Sequence, residues 1–242
     1  EVIATIPRSN LNDVNEAVLA ADKARDNWSS LSLDERRKWL EKIANALEAR
    51  SEEIAKLESL DTGKPIKIAR AVDASRSVAN FRFFAEFSKD FHEQKFLMED
   101  ATNHVIFKPV GIAGLITPWN LPLYLLSWKI APAIVMGNTV VAKPSELTPL
   151  TANLLAEVFD EVGLPAGVVN IVHGFGHETG QAIVSHPHVN LISFTGGTIT
   201  GKKVAETAAP MFKKLSLELG GKNATIVLDD VNLDSAIPEL SL

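Results

Sequence analysis

Gly111-Ile112-Ala113-Gly114-Leu115-Ile116-Thr117-Pro118-Trp119-Asn120 is the stretch that decides the fold of this chain. Its first six residues form an apolar run of strand length, broken by Thr117-Pro118. A helical pattern follows over 122–135, and a second short apolar run over 139–142. Near-continuous apolar strands separated by helices are what a parallel sheet with both faces covered requires. The alternation continues downstream. Strands are expected at 168–172, 191–194, 214–218 and 225–228, and helices at 149–162, 178–185 and 199–208. The spacing predicts an α/β fold, a Rossmann-like parallel sheet with helices on both faces, whose ligands bind beyond the carboxyl ends of the strands.

Upstream the pattern is helical. A helix over 13–27 is capped by Asn10 or Asn12, and Ser32 with Glu35 forms a capping box for the next. Trp39, Leu40, Ile43, Ala44 and Leu47 recur at helical spacing. Further helices are expected at 52–60, stopping near Gly63, and at 72–91, with Val78, Phe81, Phe84, Ala85 and Phe87 as its apolar face. A strand at 103–107 marks the change of texture.

The 242 residues carry a net charge of −6, which gives no general reason to expect nucleic acid or an anionic membrane as partner. No apolar run reaches membrane-spanning length and no secretory signal is visible, so the chain reads as cytoplasmic. It does not begin with Met and reads as starting in mid-protein. The absence of cysteine excludes disulfides, zinc–thiolate sites and thiol catalysis by these residues. No metal is expected: the six histidines show no ligand spacing, and His186 and His188 flank Pro187 in a loop.

Polar and glycine residues follow five successive strands. Asn120 follows the first, and reads either as a helix cap before Pro122, which its spacing favours, or as an amide donor to an oxyanion. Lys143 and Glu146 follow the second; they form a surface ion pair or share the hydroxyls of a ribose. Gly174-Phe175-Gly176 follows the third, a weak dinucleotide signal that a plain turn explains as well. Thr195-Gly196-Gly197-Thr198 follows the fourth and opens a helix whose first N–H groups suit a phosphate, unless a threonine caps them. The fifth ends in Leu215-Ser216-Leu217-Glu218-Leu219-Gly220-Gly221-Lys222. Between leucines, Glu218 is either a desolvated general base or a water-facing residue of an alternating strand.

Thr117-Pro118-Trp119-Asn120, Lys143-Pro144-Ser145-Glu146, Phe194-Thr195-Gly196-Gly197-Thr198 and Leu217-Glu218-Leu219-Gly220-Gly221-Lys222, in this order, resemble the NAD(P)-dependent aldehyde dehydrogenase superfamily over nearly the whole chain. The run 120–133 and the segment around Arg76 resemble its 2-aminomuconic semialdehyde type. The resemblance implies a truncated aldehyde dehydrogenase fold, with 1–89 and 109–221 as the NAD-binding domain, 90–108 as an oligomerisation strand pair and 222–242 as the start of a catalytic domain. It implies that Asn120 and Glu218 are catalytic, and that Ile116, Trp119, Lys143, Glu146, Gly176, Gly196, Gly197 and Gly220 bind NAD. Arg76, Leu125 and Trp128 would meet the substrate, with Arg76 on a substrate carboxylate. The implied reaction is thiolate attack on an aldehyde, hydride transfer to NAD and thioester hydrolysis. The nucleophilic cysteine would lie beyond Leu242, so this chain is expected to be inactive alone, and a dimer or tetramer is expected at full length. The rival reading is a catalytically inactive short protein that binds NAD or a partner.

Overall fold

The computed structural model describes residues 2–91 and 93–240, without the side chain of Glu239. Glu1, His92, Ser241 and Leu242, which fall in the expected ranges 1–89, 90–108 and 222–242, lie outside the described residues.

Asn10 caps α1 (Leu11–Ser30) through a reciprocal box with Asp13, and Ser32 with Glu35 does the same for α2 (Leu33–Ala49). Each box satisfies N–H groups that a helix start leaves without intrahelical partners. Ser32→Ala is therefore expected to cost about 1 kcal/mol, seen as a lower urea midpoint at unchanged slope. Leu40, Ile43, Ala44 and Leu47 are fully buried, and Trp39 packs half-buried beside them. α3 (Ser51–Thr62) stops at Gly63, whose φ of 77° suits a glycine C-cap.

The helix expected at 72–91 is interrupted. α4 (Ile66–Ile68) runs into a π turn (Ala69–Ala74), then α5 (Ser75–Phe87) and a short 3₁₀ turn (Ser88–Asp90). Phe87 lies off the buried stripe of Val78, Phe81 and Ala85 and is exposed. β1 (Gln94–Leu97) and β2 (Thr102–Val105) form an antiparallel pair exposed on both faces, and β2 ends before Ile106 and Phe107.

The α/β part follows the expected alternation: β3 (Ile112–Ile116), α6 (Pro122–Val135), β4 (Thr139–Lys143), α7 (Leu150–Glu161) and β5 (Val169–Ile171). A second π turn (Gly176–Gly180) then leads through α8 (Gln181–Ser185), β6 (Val189–Thr195) and α9 (Thr198–Ala208) to β7 (Lys214–Glu218). The five strands are parallel in the order β5-β4-β3-β6-β7. The chain winds outward from β3 to β5, then restarts beside β3 with β6. Such a switch point opens a crevice at the carboxyl ends of β3 and β6.

Two cores sandwich the sheet. Ala113, Leu115, Val140 and Ala142 face α6 and α7, with α2, α3 and α5 packed behind. Ile112, Ile116, Val141 and Ile192 face the other way, against α1, α8 and α9. The N-terminal helical region is thus divided between the two faces. α6 is also held at its carboxyl end by distant residues. Trp28 Nε1 donates to the Ile134 carbonyl at 2.9 Å, and Arg36 Nε to that of Val135 at 2.8 Å.

One expected strand is absent. Residues 225–228 are irregular and exposed, with Ile226 82% exposed. Apolar spacing alone does not make a strand without a neighbour to complete its ladder. α10 (Leu233–Leu240), not foreseen, follows it.

Candidate functional site

All ten residues expected to be catalytic or to bind NAD line one cleft of about 670 Å³ at the carboxyl edge of the sheet. Each strand places its share. Ile116 ends β3, and Trp119 and Asn120 sit in the loop after it; Lys143 ends β4 and Glu146 follows; Gly176 follows β5; Gly196 and Gly197 follow β6; Glu218 ends β7 and Gly220 follows.

Lys143 is buried, and its Nζ donates to Glu146 Oε2 and to the Pro144 carbonyl, each at 2.8 Å. Burial opposes ionisation of Glu146. The Lys143 ammonium and the backbone N–H groups of Glu146 and Gly176 outweigh it and hold the carboxyl below the usual range. This is a part-buried, fixed charge pair rather than a solvated one.

Neither threonine caps α9. Its N-cap is Gly197, no side chain among the described residues caps the first turn, and Gly196 N–H is spent on the Glu218 carbonyl at 3.0 Å. The first N–H groups of α9 therefore face the cleft uncapped, an arrangement suited to an anion. Gly176 and Gly197 would each carry a Cβ into open space, whereas Gly174, at φ 147°, is packed against Thr179 and Ser9. Gly174 is therefore required by packing, and Gly176 faces the cleft.

Asn120 is not the helix cap that its spacing favoured. The N-cap of α6 is Leu121, without a side-chain cap bond, and Pro122 occupies the first turn. Asn120 is exposed, lines the cleft, and its carboxamide bonds no other described residue. Glu218 is not desolvated by its leucines. β7 alternates, so Leu215 and Leu217 turn half-buried toward the core while Lys214, Ser216 and Glu218 are exposed. Trp119 is exposed as well.

A second cavity of about 330 Å³ adjoins Glu218 and is lined by Trp128, Phe84, Lys129, Ser193 and Ser216 among others. Trp128 and Glu218 thus share this second cavity, and Glu218 also lines the main cleft. Leu125 is half-buried on α6 and lines neither cavity. Arg76 also lies outside both; it is exposed, 3.2 Å from the Tyr124 hydroxyl and stacked over that ring. Lys129 escaped the sequence reading. It is buried and donates to Ser193 Oγ at 2.7 Å. Burial lowers its pKa to about 8 against the opposing pull of Glu218. The available signal was a lone cation in the apolar run of α6. No group of three or more His, Cys, Asp or Glu among the described residues is placed to hold a metal ion, and no helix among them is long and apolar enough to cross a membrane.

The aldehyde dehydrogenase family model matches residues 1–241, and the chain belongs to that family. It is 51% identical to human 2-aminomuconic semialdehyde dehydrogenase over 240 residues, covering 98% of this chain and 49% of that protein. It is 45% identical to 2-hydroxymuconic semialdehyde dehydrogenase of Pseudomonas sp. strain CF600, covering 98% and 50%. The NAD⁺ complex of an aldehyde dehydrogenase from Bacillus cereus superposes with a TM-score of 0.94 at 41% identity, covering 98% of this chain and 49% of that one. The chain spans about half the length of the relatives it matches.

Proposed function

We propose that this chain is the cofactor-binding part of an NAD-dependent aldehyde dehydrogenase acting on a semialdehyde of the 2-aminomuconic type. The convergence of ten expected site residues on one cleft carries this reading. Residues 1–89 and 109–221 are then the NAD-binding domain, and 222–242 begins a further one. The exposed apolar residues Phe96, Leu97 and Met98 support the 90–108 pair as an oligomer contact.

The residues present fit NAD. Lys143 and Glu146 would hold the ribose hydroxyls of the adenosine half, and the uncapped start of α9 the pyrophosphate. The Glu146 charge disfavours a 2′-phosphate. When bound, NAD supplies the hydride acceptor. Asn120 is free to donate its carboxamide N–H to the oxyanion formed when a thiolate adds to the aldehyde. Glu218 takes the proton from thiol or water. The chain contains no cysteine, so the thiolate comes from outside it. The aromatic cavity beside Glu218 suits an aldehyde path past Trp128, and Leu125 and Arg76 remain proposed substrate contacts nearby on α6 and α5.

Calorimetric titration with NAD and NADP tests this. NAD is expected to bind at least about tenfold more tightly, and the chain alone is expected to form no NADH from any aldehyde. A folded chain that binds neither coenzyme overturns the reading. Robust NADH formation overturns the external nucleophile.

A further inference from the structure

The turn that carries Asn120 is held by none of its own side chains. Its N-cap, Leu121, makes no side-chain bond, and the Asn120 carboxamide is unbonded among the described residues. Two ionisable residues from far earlier in the chain, Lys64 and Glu58, hold its backbone instead, and a third, Asp73, holds Lys64. Lys64 Nζ donates to both carboxylate oxygens of Asp73 at 2.8 Å, and to the Asn120 carbonyl at 3.2 Å. These three acceptors match the three protons of an ammonium. Asp73 is fully buried and sits in the π turn Ala69–Ala74 that interrupts the helix before α5. Glu58, also fully buried, accepts the Leu123 N–H through Oε1 at 3.0 Å and the Thr151 hydroxyl at 2.9 Å.

The Asn120 carbonyl and the Leu123 N–H lie on either side of Leu121-Pro122, the first tied to the part-buried Lys64 ammonium and the second to the buried Glu58 carboxyl. A buried ion pair is a poor device for stability, because desolvation offsets its attraction and apolar residues of equal volume often do as well. Apolar residues cannot aim an N–H at one chosen carbonyl. π turns often mark functional sites, and this one presents Asp73 where both its oxygens take Lys64.

We infer that Lys64, oriented by Asp73, and Glu58 are positioning residues that fix the backbone from which the Asn120 carboxamide reaches a developing oxyanion. The catalytic half of this inference rests on the role proposed for Asn120; the positional half does not.

The test has two readouts. In the full 242-residue chain, labelled with ¹⁵N at asparagine and leucine, Lys64→Met is expected to move or broaden the Asn120 backbone and carboxamide signals and the Leu121 amide. Asn10 and Asn170 should stay in place, and Lys64→Arg should restore part of the change. In the longer enzyme proposed to contain this chain, Lys64→Met is expected to lower kcat on the order of ten- to a hundredfold, with KM for NAD changed less than about threefold. Asn120 signals unmoved in Lys64→Met, or kcat unchanged in an active enzyme, overturns the inference. If Lys64→Met does not fold, Asp73→Asn decides. It leaves Lys64 in place without the charge that orients it, and unmoved Asn120 signals in that variant overturn the inference equally. A wild-type enzyme that turns over no aldehyde removes the catalytic reading of Asn120 and leaves the amide shifts to decide the positional claim.

Discussion

Glu146→Ala is expected to raise the dissociation constant of this chain for NAD on the order of ten- to a hundredfold, the cost of losing hydrogen bonds to a charged acceptor. The buried Lys143 ammonium contributes to that loss. Its carboxylate partner at 2.8 Å is gone, and only the Pro144 carbonyl remains to satisfy it. Affinity for NADP should hold steady or improve, since the removed charge is the one that repels a 2′-phosphate. The preference between the coenzymes therefore narrows from the NAD side. Calorimetric titration of both coenzymes against wild type and variant reads this directly. Unchanged NAD affinity in a folded variant would mean that the cleft is not the cofactor site.

The second large effect concerns pH. Burial, helped by Asp73, raises the Glu58 carboxyl to about 7, against the lowering influence of the Leu123 N–H, the Thr151 hydroxyl and Lys64. Glu58 Oε2 has no hydrogen-bond partner among the described residues, so one oxygen is poorly placed to carry charge. The folded-state pKa lies above the unfolded value. The stabilisation is thus fully present below the unfolded pKa and is lost as pH rises through about 7. The loss from this one group amounts to an order of 3 kcal/mol. His173 and His186, whose pKa values burial lowers, contribute the opposite slope. The clean observable is the difference between wild type and Glu58→Gln in urea unfolding at pH 5 and pH 8. Wild type should lose stability relative to the variant as pH rises. Parallel pH dependence of the two would remove Glu58 as a buried titrating group.

The sheet was legible because its strands are nearly continuous apolar runs cut by polar exits. The cleft was legible because those exits carry its residues. What failed has a common physical cause. The expected strand at 225–228 has the right composition but no neighbouring strand, and pairing is not written in composition. Asn120 has the type and place of a helix cap, yet the Leu123 N–H is bonded instead by Glu58, 65 residues before Leu123. A cap supplied across that separation leaves no local pattern. Glu218 left two readings open, desolvated between leucines or facing water, and the strand's alternation favours the second. In an alternating strand the neighbours point to the opposite face, and the environment comes from the next strand. Lys129 and Glu58 went unnoticed for opposite reasons. The first hid in an apolar helix, the second in a charged one, and only tertiary packing makes either unusual.

The clamps on α6 also bear on the order in which the molecule is built. Trp28 and Arg36 close its carboxyl end and Glu58 its amino end, across separations of 106, 99 and 65 residues. Contacts so far apart along a chain are slow to form, because the intervening segment must be ordered first. Here every clamp precedes the helix it grips. During vectorial synthesis α1, α2 and α3 leave the ribosome before α6 exists, and domains are generally assembled from the amino end. α6 therefore emerges toward a seat whose components are already present, and β3 and β4 are pinned on either side of it. Circular permutation that moved residues before Leu33 to the carboxyl end would reverse that sequence for the Trp28 clamp. The mature contacts would stay the same, and the route to them would lengthen.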